Sequence, residues 1–174
     1  MASVRSVIIC KSVHRQNTAK VARAIADVMH AEVVSPEDFP HASLERYDVV
    51  GFGSGIYYGV IHPALWDWVR RLRTDGAGRR SAFVFTTAGL PVLWRVWHGP
   101  LKADLTRTGF DIIGEFNCGG FDTWGPLWLT GGINRRHPSP QDLDRAAVFA
   151  QEVLKKCGSA REGSALPARR AQDV

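Results

Sequence analysis

Apolar residues along the chain fall into short continuous runs, and between these runs lie longer stretches in which apolar positions recur with helical spacing. Runs of about four to eight apolar residues bounded by glycine or polar loops are typical of strands buried on both faces of a sheet. The longer stretches predict helices. The predicted strands are Val4–Cys10, Glu32–Val34, Tyr47–Gly53, Ser81–Thr87 and Phe110–Cys118. The predicted helices are approximately Thr18–His30, Pro63–Leu72, Pro100–Thr108 and Pro140–Lys156.

The order of these elements predicts the fold class. Five strands that alternate with helices predict an α/β protein with a doubly wound five-stranded parallel sheet and right-handed crossovers. The common strand order for such a sheet is 2-1-3-4-5, and ligands bind beyond the carboxyl ends of the strands, beside the switch point between strands 1 and 3. The loops at that edge are Lys11–Asn17, Ser54–His62, Ala88–Gly99 and Gly119–Ser139.

The length of 174 residues, with 45% hydrophobic and 22% charged residues, fits a single globular domain with one core. We predict a domain over residues 1–157 and a flexible C-terminal tail over residues 158–174, because the tail lacks periodicity and almost all large apolar side chains. The opening MASVRSVIIC is too short in its apolar part for a signal peptide, and no run approaches the ~20 apolar residues of a membrane helix. These features predict a cytoplasmic protein without a membrane partner.

Charge and cysteine content narrow the classes of partner. The net charge of +5 is modest. The arginines near residues 70–80 surround one predicted helix end, as expected for a solvated terminus, so we predict no nucleic-acid partner. The three cysteines, Cys10, Cys118 and Cys157, form no CxxC or CxxH pattern, and no metal site is predicted.

The loop that leaves strand 1 is unusually rich in hydrogen-bond donors. The sequence SVHRQNT, from Ser12 to Thr18, enters a helix whose first N–H groups lack partners and carry partial positive charge. Hydroxyl, amide and backbone N–H groups at such a junction can surround a phosphate, and Arg15 adds charge. A purely structural alternative is that Asn17 or Thr18 caps the helix without any ligand.

Other phosphate chemistries can be tested on the same residues. The loop contains no glycine, so it lacks the Gly-Lys-Ser/Thr pattern of nucleoside triphosphatases. A receiver domain needs carboxylates where this chain has Lys11 and Ser54. A cysteine phosphatase of low molecular weight needs five residues between its cysteine and arginine, whereas Cys10 and Arg15 are separated by four. The phosphatase is the nearest of these alternatives.

SVHRQNT resembles the FMN phosphate loop of flavodoxins, in which hydroxyl residues surround a closing Gly-Asn-Thr. Ser12, Asn17 and Thr18 match this loop, and Gln16 stands where the family usually has glycine. The resemblance extends over roughly residues 4–157 and implies a flavodoxin-like fold with FMN as cofactor. The phosphate contacts that it implies are Ser12, His14, Arg15, Gln16, Asn17 and Thr18.

The later loops at the same edge carry the rest of the resemblance. GSGIYYGV resembles the flavodoxin loop in which an aromatic side chain covers the isoalloxazine ring, and stacking on a flat heterocycle is favourable. Backbone N–H groups after strand 4 are expected to bond the pyrimidine carbonyls. The implied ring contacts are Gly55, Tyr57, Tyr58 and Gly59 after strand 3, Thr86, Thr87, Ala88 and Gly89 after strand 4, and Asp122 and Trp124 after strand 5.

These residues lead to three functional hypotheses. The first is an FMN-binding redox protein that transfers electrons through a non-covalently bound flavin to or from a redox partner protein. The second is an FMN-dependent reductase whose electron acceptor is a small organic molecule such as a quinone. The third is a flavin-free interaction protein on the same fold, which the glutamine at position 16 favours. Because the cofactor carries the chemistry, no catalytic side chain is predicted.

Overall fold

The structure of the protein is a computed structural model that describes residues 4–13, 15–72, 80–89, 91–120, 134 and 136–164. The described residues form six strands, four helices and two short 3-10 turns. The strands are β1 Ser6–Lys11, β2 Glu32–Val34, β3 Val49–Tyr57, β4 Val60–Ile61, β5 Arg80–Ala88 and β6 Phe110–Gly119. The helices are α1 Asn17–Met29, α2 Pro63–Arg70, α3 Trp94–Arg107 and α4 Pro140–Ser164, and the 3-10 turns are His41–Arg46 and Pro91–Leu93.

The sheet has the order β2-β1-β3-β5-β6, and these five strands are parallel. The two-residue β4 pairs antiparallel with the end of β3 and lies off this path. Without β4, the sequence order of the parallel strands across the sheet is 2-1-3-4-5, so the predicted fold class and strand order are confirmed. The β3–β4 hairpin is an addition that the sequence pattern did not predict.

Both faces of the sheet are covered, which explains the unbroken apolar runs of the central strands. Alternate residues of β1 enter different halves of the core. Ile8 packs with α1 and α4 on one face, while Val7 packs with α2 and α3 on the other. Both side chains are fully buried.

Two glycines of β3 make room for phenyl rings from the neighbouring strand. Gly51 is paired with Phe83 and Gly53 with Phe85. A methyl group on Gly53 would lie 2.1 Å from the tip of the Phe85 ring, and one on Gly51 would lie 2.4 Å from that of Phe83. The two rings stack along β5 with centroids 6.1 Å apart. The glycines therefore allow bulky side chains to fill the α1–α4 half of the core.

Two helix boundaries correct the predictions. Helix α3 begins at Trp94 and contains Pro100, although a proline removes an intrahelical hydrogen bond. The first turns persist because Trp97 and His98 are buried against the sheet. Helix α4 continues through Gly158 to Ser164, where the sequence predicted a flexible tail from residue 158. Burial of Cys157, whose side chain is only 3% exposed, holds α4 to the core near that point.

Candidate functional site

The loop between β1 and α1 turns sharply because two consecutive residues are left-handed. Arg15 has φ 51° and Gln16 has φ 56°, and Gln16 occupies the position before the first helical residue. Left-handed geometry costs a residue with a side chain about 1–2 kcal/mol. Gln16 thus adopts a conformation that glycine would take at lower cost, and the side chain of Gln16 makes no capping hydrogen bond to α1.

The hydroxyl of Ser12 is the clearest sign of a ligand in this loop. Its oxygen is buried and has no hydrogen-bond partner among the residues that the structure describes. A buried polar group without a partner costs about 1–3 kcal/mol. A phosphate oxygen beside Ser12 would satisfy the hydroxyl, so this residue fits the predicted phosphate loop.

The start of α1 lies against the carboxyl ends of β5 and β6. Thr18, which is 1% exposed, shares a hydrogen bond of 2.8 Å with the hydroxyl of Thr87. Asn17 is also buried, and a methyl group on Gly120 would lie 3.2 Å from Nδ2 of Asn17. The Thr18 hydroxyl therefore joins α1 to the sheet. Three predicted residues, Asn17, Thr18 and Thr87, are brought together here.

Tyr57 connects the end of β3 to the β1–α1 loop. Its hydroxyl oxygen accepts a hydrogen bond of 2.8 Å from the backbone N–H of Val13. The tyrosine folds back over Gly55, where a methyl group would lie 2.7 Å from the hydroxyl oxygen. Its ring also meets His62 edge-on, with centroids 5.4 Å apart. The structure thus gives Tyr57 a role in holding the loop, in addition to the ring contact predicted from the sequence.

Tyr58 and Gly59 form the tip of the β3–β4 hairpin. Both have positive φ, 53° and 79°, as a two-residue hairpin of the mirror-image type requires. The side chain of Tyr58 is 79% exposed. Tyr58 is therefore the tyrosine of the pair that offers a ring face at the carboxyl edge of the sheet.

The side chains of Thr86 and Thr87 lie on opposite faces of the sheet, and the backbone contact predicted for both residues remains a prediction. Successive residues of a strand point to opposite faces, and the Thr86 hydroxyl lies on the α3 side, 2.9 Å from Nε2 of His98. Nδ1 of His98 donates to Glu115 at 3.0 Å, and Lys102 bonds the other Glu115 oxygen. The burial of His98 lowers its pKa, although Glu115 opposes the shift. The side chain of Thr86 thus anchors α3.

The remaining predicted residues after β5 lie at the edge of the site. Ala88 is buried, and its carbonyl accepts a hydrogen bond from Gly120. The Gly89 carbonyl accepts a hydrogen bond of 2.7 Å from Nδ2 of Asn134. His14, Asp122 and Trp124 lie outside the described residues, so their predicted contacts remain predictions.

Cys10 does not have the character of a phosphatase nucleophile. It belongs to β1 and is 8% exposed. Burial raises the pKa of its thiol to about 12, so almost none of the reactive thiolate forms at neutral pH. Together with the short spacing to Arg15, this weighs against the phosphatase alternative.

His137, in the segment between β6 and α4, lies beside the end of β6. His137 packs over Gly119, and its Nδ1 donates a 2.6 Å hydrogen bond to Asp142. The signal in the sequence was the pair Ser139 and Asp142 at the start of α4, which forms a reciprocal capping box. Among the described residues, no group of three or more acidic, histidine or cysteine side chains is placed to hold a metal ion.

Comparison with known proteins agrees with this geometry. A family model described as a flavodoxin domain matches residues 7–90, which include the β1–α1 loop and the β3–β4 hairpin. An uncharacterized protein of Methanocaldococcus jannaschii is 38% identical over 152 residues, which cover 87% of this chain and 99% of the relative. The chain belongs to the flavodoxin-domain family.

Solved structures show the same flavodoxin-like fold at low sequence identity. A flavodoxin from the domain Archaea aligns with a TM-score of 0.64 and 13% identity over 88% of this chain and 99% of its own. Flavodoxin 1 from Bacillus cereus aligns with a TM-score of 0.63 and 19% identity over 87% of this chain and 97% of its own. A WrbA-like flavodoxin from Agrobacterium tumefaciens aligns with a TM-score of 0.64 and 16% identity over 90% of this chain and 99% of its own. Family membership supports a flavin-type redox role.

Proposed function

We propose that this flavodoxin-domain protein binds FMN non-covalently at the carboxyl edge of its sheet and transfers electrons through it. The observation that carries the proposal is the buried hydroxyl of Ser12, which has no partner among the described residues and stands in the loop that matches the family's phosphate loop. The cytoplasmic location predicted from the sequence belongs to the same proposal.

The residues of the β1–α1 loop would hold the phosphate. Ser12 supplies a hydroxyl donor, and the first turn of α1 supplies N–H groups with partial positive charge. Asn17 and Thr18 are both buried, and Thr18 is also held by its hydrogen bond to Thr87. Because these donors are already in position, the protein loses little conformational freedom when it binds the phosphate.

The residues around the β3–β4 hairpin and the end of β5 would hold the ring. Tyr58 presents an exposed aromatic face, and Gly59 keeps the hairpin tip narrow. Thr87, Ala88 and Gly89, at the end of the neighbouring strand β5 and just after it, would line the site beside the hairpin. When bound, FMN supplies one- or two-electron redox chemistry at its isoalloxazine ring. The chain orients the ring and limits the access of water to it.

The surroundings of the hairpin suggest where an electron donor or acceptor approaches. Apolar side chains are exposed on Val60 at 52%, Val92 at 81% and Val96 at 67%. All three belong to segments that follow β3 or β5, near the carboxyl edge. Exposed apolar side chains of this kind suit either a redox partner protein or a small organic acceptor such as a quinone. Mixing protein that has been reduced by NADH or dithionite with a soluble quinone separates these two hypotheses. Only in a reductase does the quinone reoxidise the flavin rapidly and in repeated turnovers.

The decisive test of the proposal compares FMN with riboflavin, which lacks the phosphate. Ser12→Ala should weaken FMN binding about tenfold or more, because it removes a hydrogen bond to a charged group. Riboflavin affinity should change less than about twofold. Fluorescence titration of the purified protein measures both.

The matched control is Ser159→Ala, at an exposed serine near the far end of α4 whose hydroxyl donates to the Lys155 carbonyl of its own helix. It should leave both affinities unchanged. A wild-type protein that binds neither flavin would exclude this proposal and favour the flavin-free interaction protein. Equal weakening of both flavins by Ser12→Ala would show that Ser12 has only a structural role.

A further inference from the structure

Gly119 is the last residue of β6, and Gly120 follows it directly. Gly120 lies against Asn17: a methyl group added at Gly120 would lie 3.2 Å from Nδ2 of the asparagine. Gly119 lies against His137: a methyl group added at Gly119 would lie 3.1 Å from Cγ of the imidazole. A side chain at either position would require its neighbour to shift by a few tenths of an ångström. The imidazole therefore lies against the last residue of β6, and the next residue along the chain contacts the start of α1.

The orientation of His137 is fixed by a carboxylate. Nδ1 donates to Oδ2 of Asp142 at 2.6 Å. The same oxygen accepts from the backbone N–H and the hydroxyl of Ser139, at 2.8 and 2.9 Å. Nε2 has no hydrogen-bond partner within the part of the chain that the structure describes, and the side chain is 41% exposed. One imidazole nitrogen is thus held, and the other is available to a ligand.

The backbone around the histidine is also anchored. Its N–H donates to the carbonyl of Asn134, and the Asn134 amide bonds the carbonyl of Gly89. These contacts run from the end of β5 across the end of β6 to α4. A histidine that only covered the surface would not need both a backbone anchor and a buried carboxylate.

The titratable and charged groups near His137 come from α4 and from the end of β6. Asp142 is 8% exposed in its side chain, and Arg145 bonds its other oxygen at 3.3 Å. Burial raises the pKa of Asp142, but the hydrogen bonds from Ser139 and His137 outweigh burial and keep the pKa below its ordinary value. β6 contributes the uncharged Gly119 at the contact, and the neutral thiol of Cys118, whose pKa burial raises to about 12, lies near Asp142.

We propose that His137, held by Asp142, is a cationic contact for the phosphate of FMN and takes up a proton from solvent when the phosphate binds. This inference rests on the proposed function. The imidazolium donates from Nε2 to a phosphate oxygen, while Nδ1 stays bonded to Asp142. Riboflavin has no phosphate and makes no such contact, so His137 contributes to the choice of FMN over riboflavin.

The experiment combines one variant with a measurement on the wild-type protein. His137→Gln keeps an amide donor for Asp142 but cannot carry a charge. FMN affinity should fall about tenfold at pH 6.5, with riboflavin affinity changed less than about twofold. Calorimetry in buffers of different ionisation enthalpy should show that wild-type protein takes up more protons on binding FMN than His137→Gln does. His30→Asn, an exposed histidine at the far end of α1, is the matched control.

Each outcome decides whether His137 contacts the phosphate or only holds the local structure. Equal proton uptake by wild type and variant, or equal loss of FMN and riboflavin affinity, overturns the inference. If the wild type binds no flavin, the proposed function fails, and inorganic phosphate becomes the probe. A phosphate-dependent shift of the His137 ring resonances in NMR spectra then supports an anion contact, and unchanged resonances overturn it. Thermal unfolding of every variant verifies that it is folded.

Discussion

At the scale of single residues, the candidate site depends on small groups that fit closely. The Tyr57 hydroxyl reaches the Val13 N–H because Gly55 has no side chain in the way. The Thr18 and Thr87 hydroxyls meet although 69 positions separate them in the sequence. Each contact fixes a different side of the β1–α1 loop, so the loop is positioned before any ligand binds.

Replacing Tyr57 with phenylalanine tests this positioning. Tyr57→Phe removes the acceptor for the Val13 N–H, and a typical intramolecular hydrogen bond contributes about 0.5–1.5 kcal/mol. We expect a loss of unfolding free energy in that range and weaker FMN binding, with both measured on one sample by urea denaturation and fluorescence titration. Tyr47→Phe, at a partly buried ring that packs on Phe39, is the control and should leave FMN affinity unchanged.

At the scale of elements, helix α2 begins with an unusual cap. Nδ1 of His62 accepts a 3.1 Å hydrogen bond from the N–H of Ala64, and Pro63 occupies the first helical position. Only the unprotonated Nδ1 can accept this bond. Burial and the charge of Lys11 lower the pKa of His62, although Glu37 opposes them. The cap therefore links the stability of α2 to pH.

The sign of this dependence follows from the lowered pKa. The unfolded histidine titrates near ~6.5, so the stabilisation from the neutral form is complete above that pH. It is lost as pH falls through the lower pKa of the folded protein. His62→Asn keeps a capping oxygen that does not titrate. Between pH 8 and pH 5.5, wild type should lose more unfolding free energy than His62→Asn. Parallel urea-denaturation curves for the two proteins would contradict the prediction.

At the scale of the whole molecule, the features on which the proposed function depends lie at one edge of the sheet. The donors of the β1–α1 loop, the exposed Tyr58 and the dyad of His137 and Asp142 all lie beyond the carboxyl ends of parallel strands. The whole chain carries a net charge of +5. In the described part of the chain, no helix has both the length and the apolar content that crossing a bilayer demands.

The charge balance leads to a prediction about salt. If Arg15 contributes to holding the phosphate, FMN affinity should fall as ionic strength rises, because exposed charges are screened over about 8–10 Å at ~0.1–0.15 M salt. Riboflavin affinity should be nearly independent of salt. Arg15→Gln should remove most of the salt dependence while riboflavin binding is retained. Titrations at 50 and 500 mM sodium chloride measure the effect, and identical salt responses of the two flavins would show that Arg15 is not involved.

The sequence by itself determined the fold class and the order of the parallel strands. Strands covered on both faces have to be apolar along their whole length, so β1, β3 and β5 stand out as continuous runs. The switch-point rule then located the candidate site at the carboxyl edge without any knowledge of contacts. The family resemblance in the β1–α1 loop was equally local, because it lies in consecutive residues.

Only the tertiary structure decided which of those residues work together. Neighbouring Thr86 and Thr87 face opposite layers, and no local pattern tells which layer binds a ligand and which holds α3. The left-handed Gln16, the early start of α3 and the extension of α4 oppose local preferences and persist through their setting in the fold. His137 and Gly119 meet because the chain returns across the end of β6. Contacts of this kind depend on packing between distant segments, which local propensity does not encode.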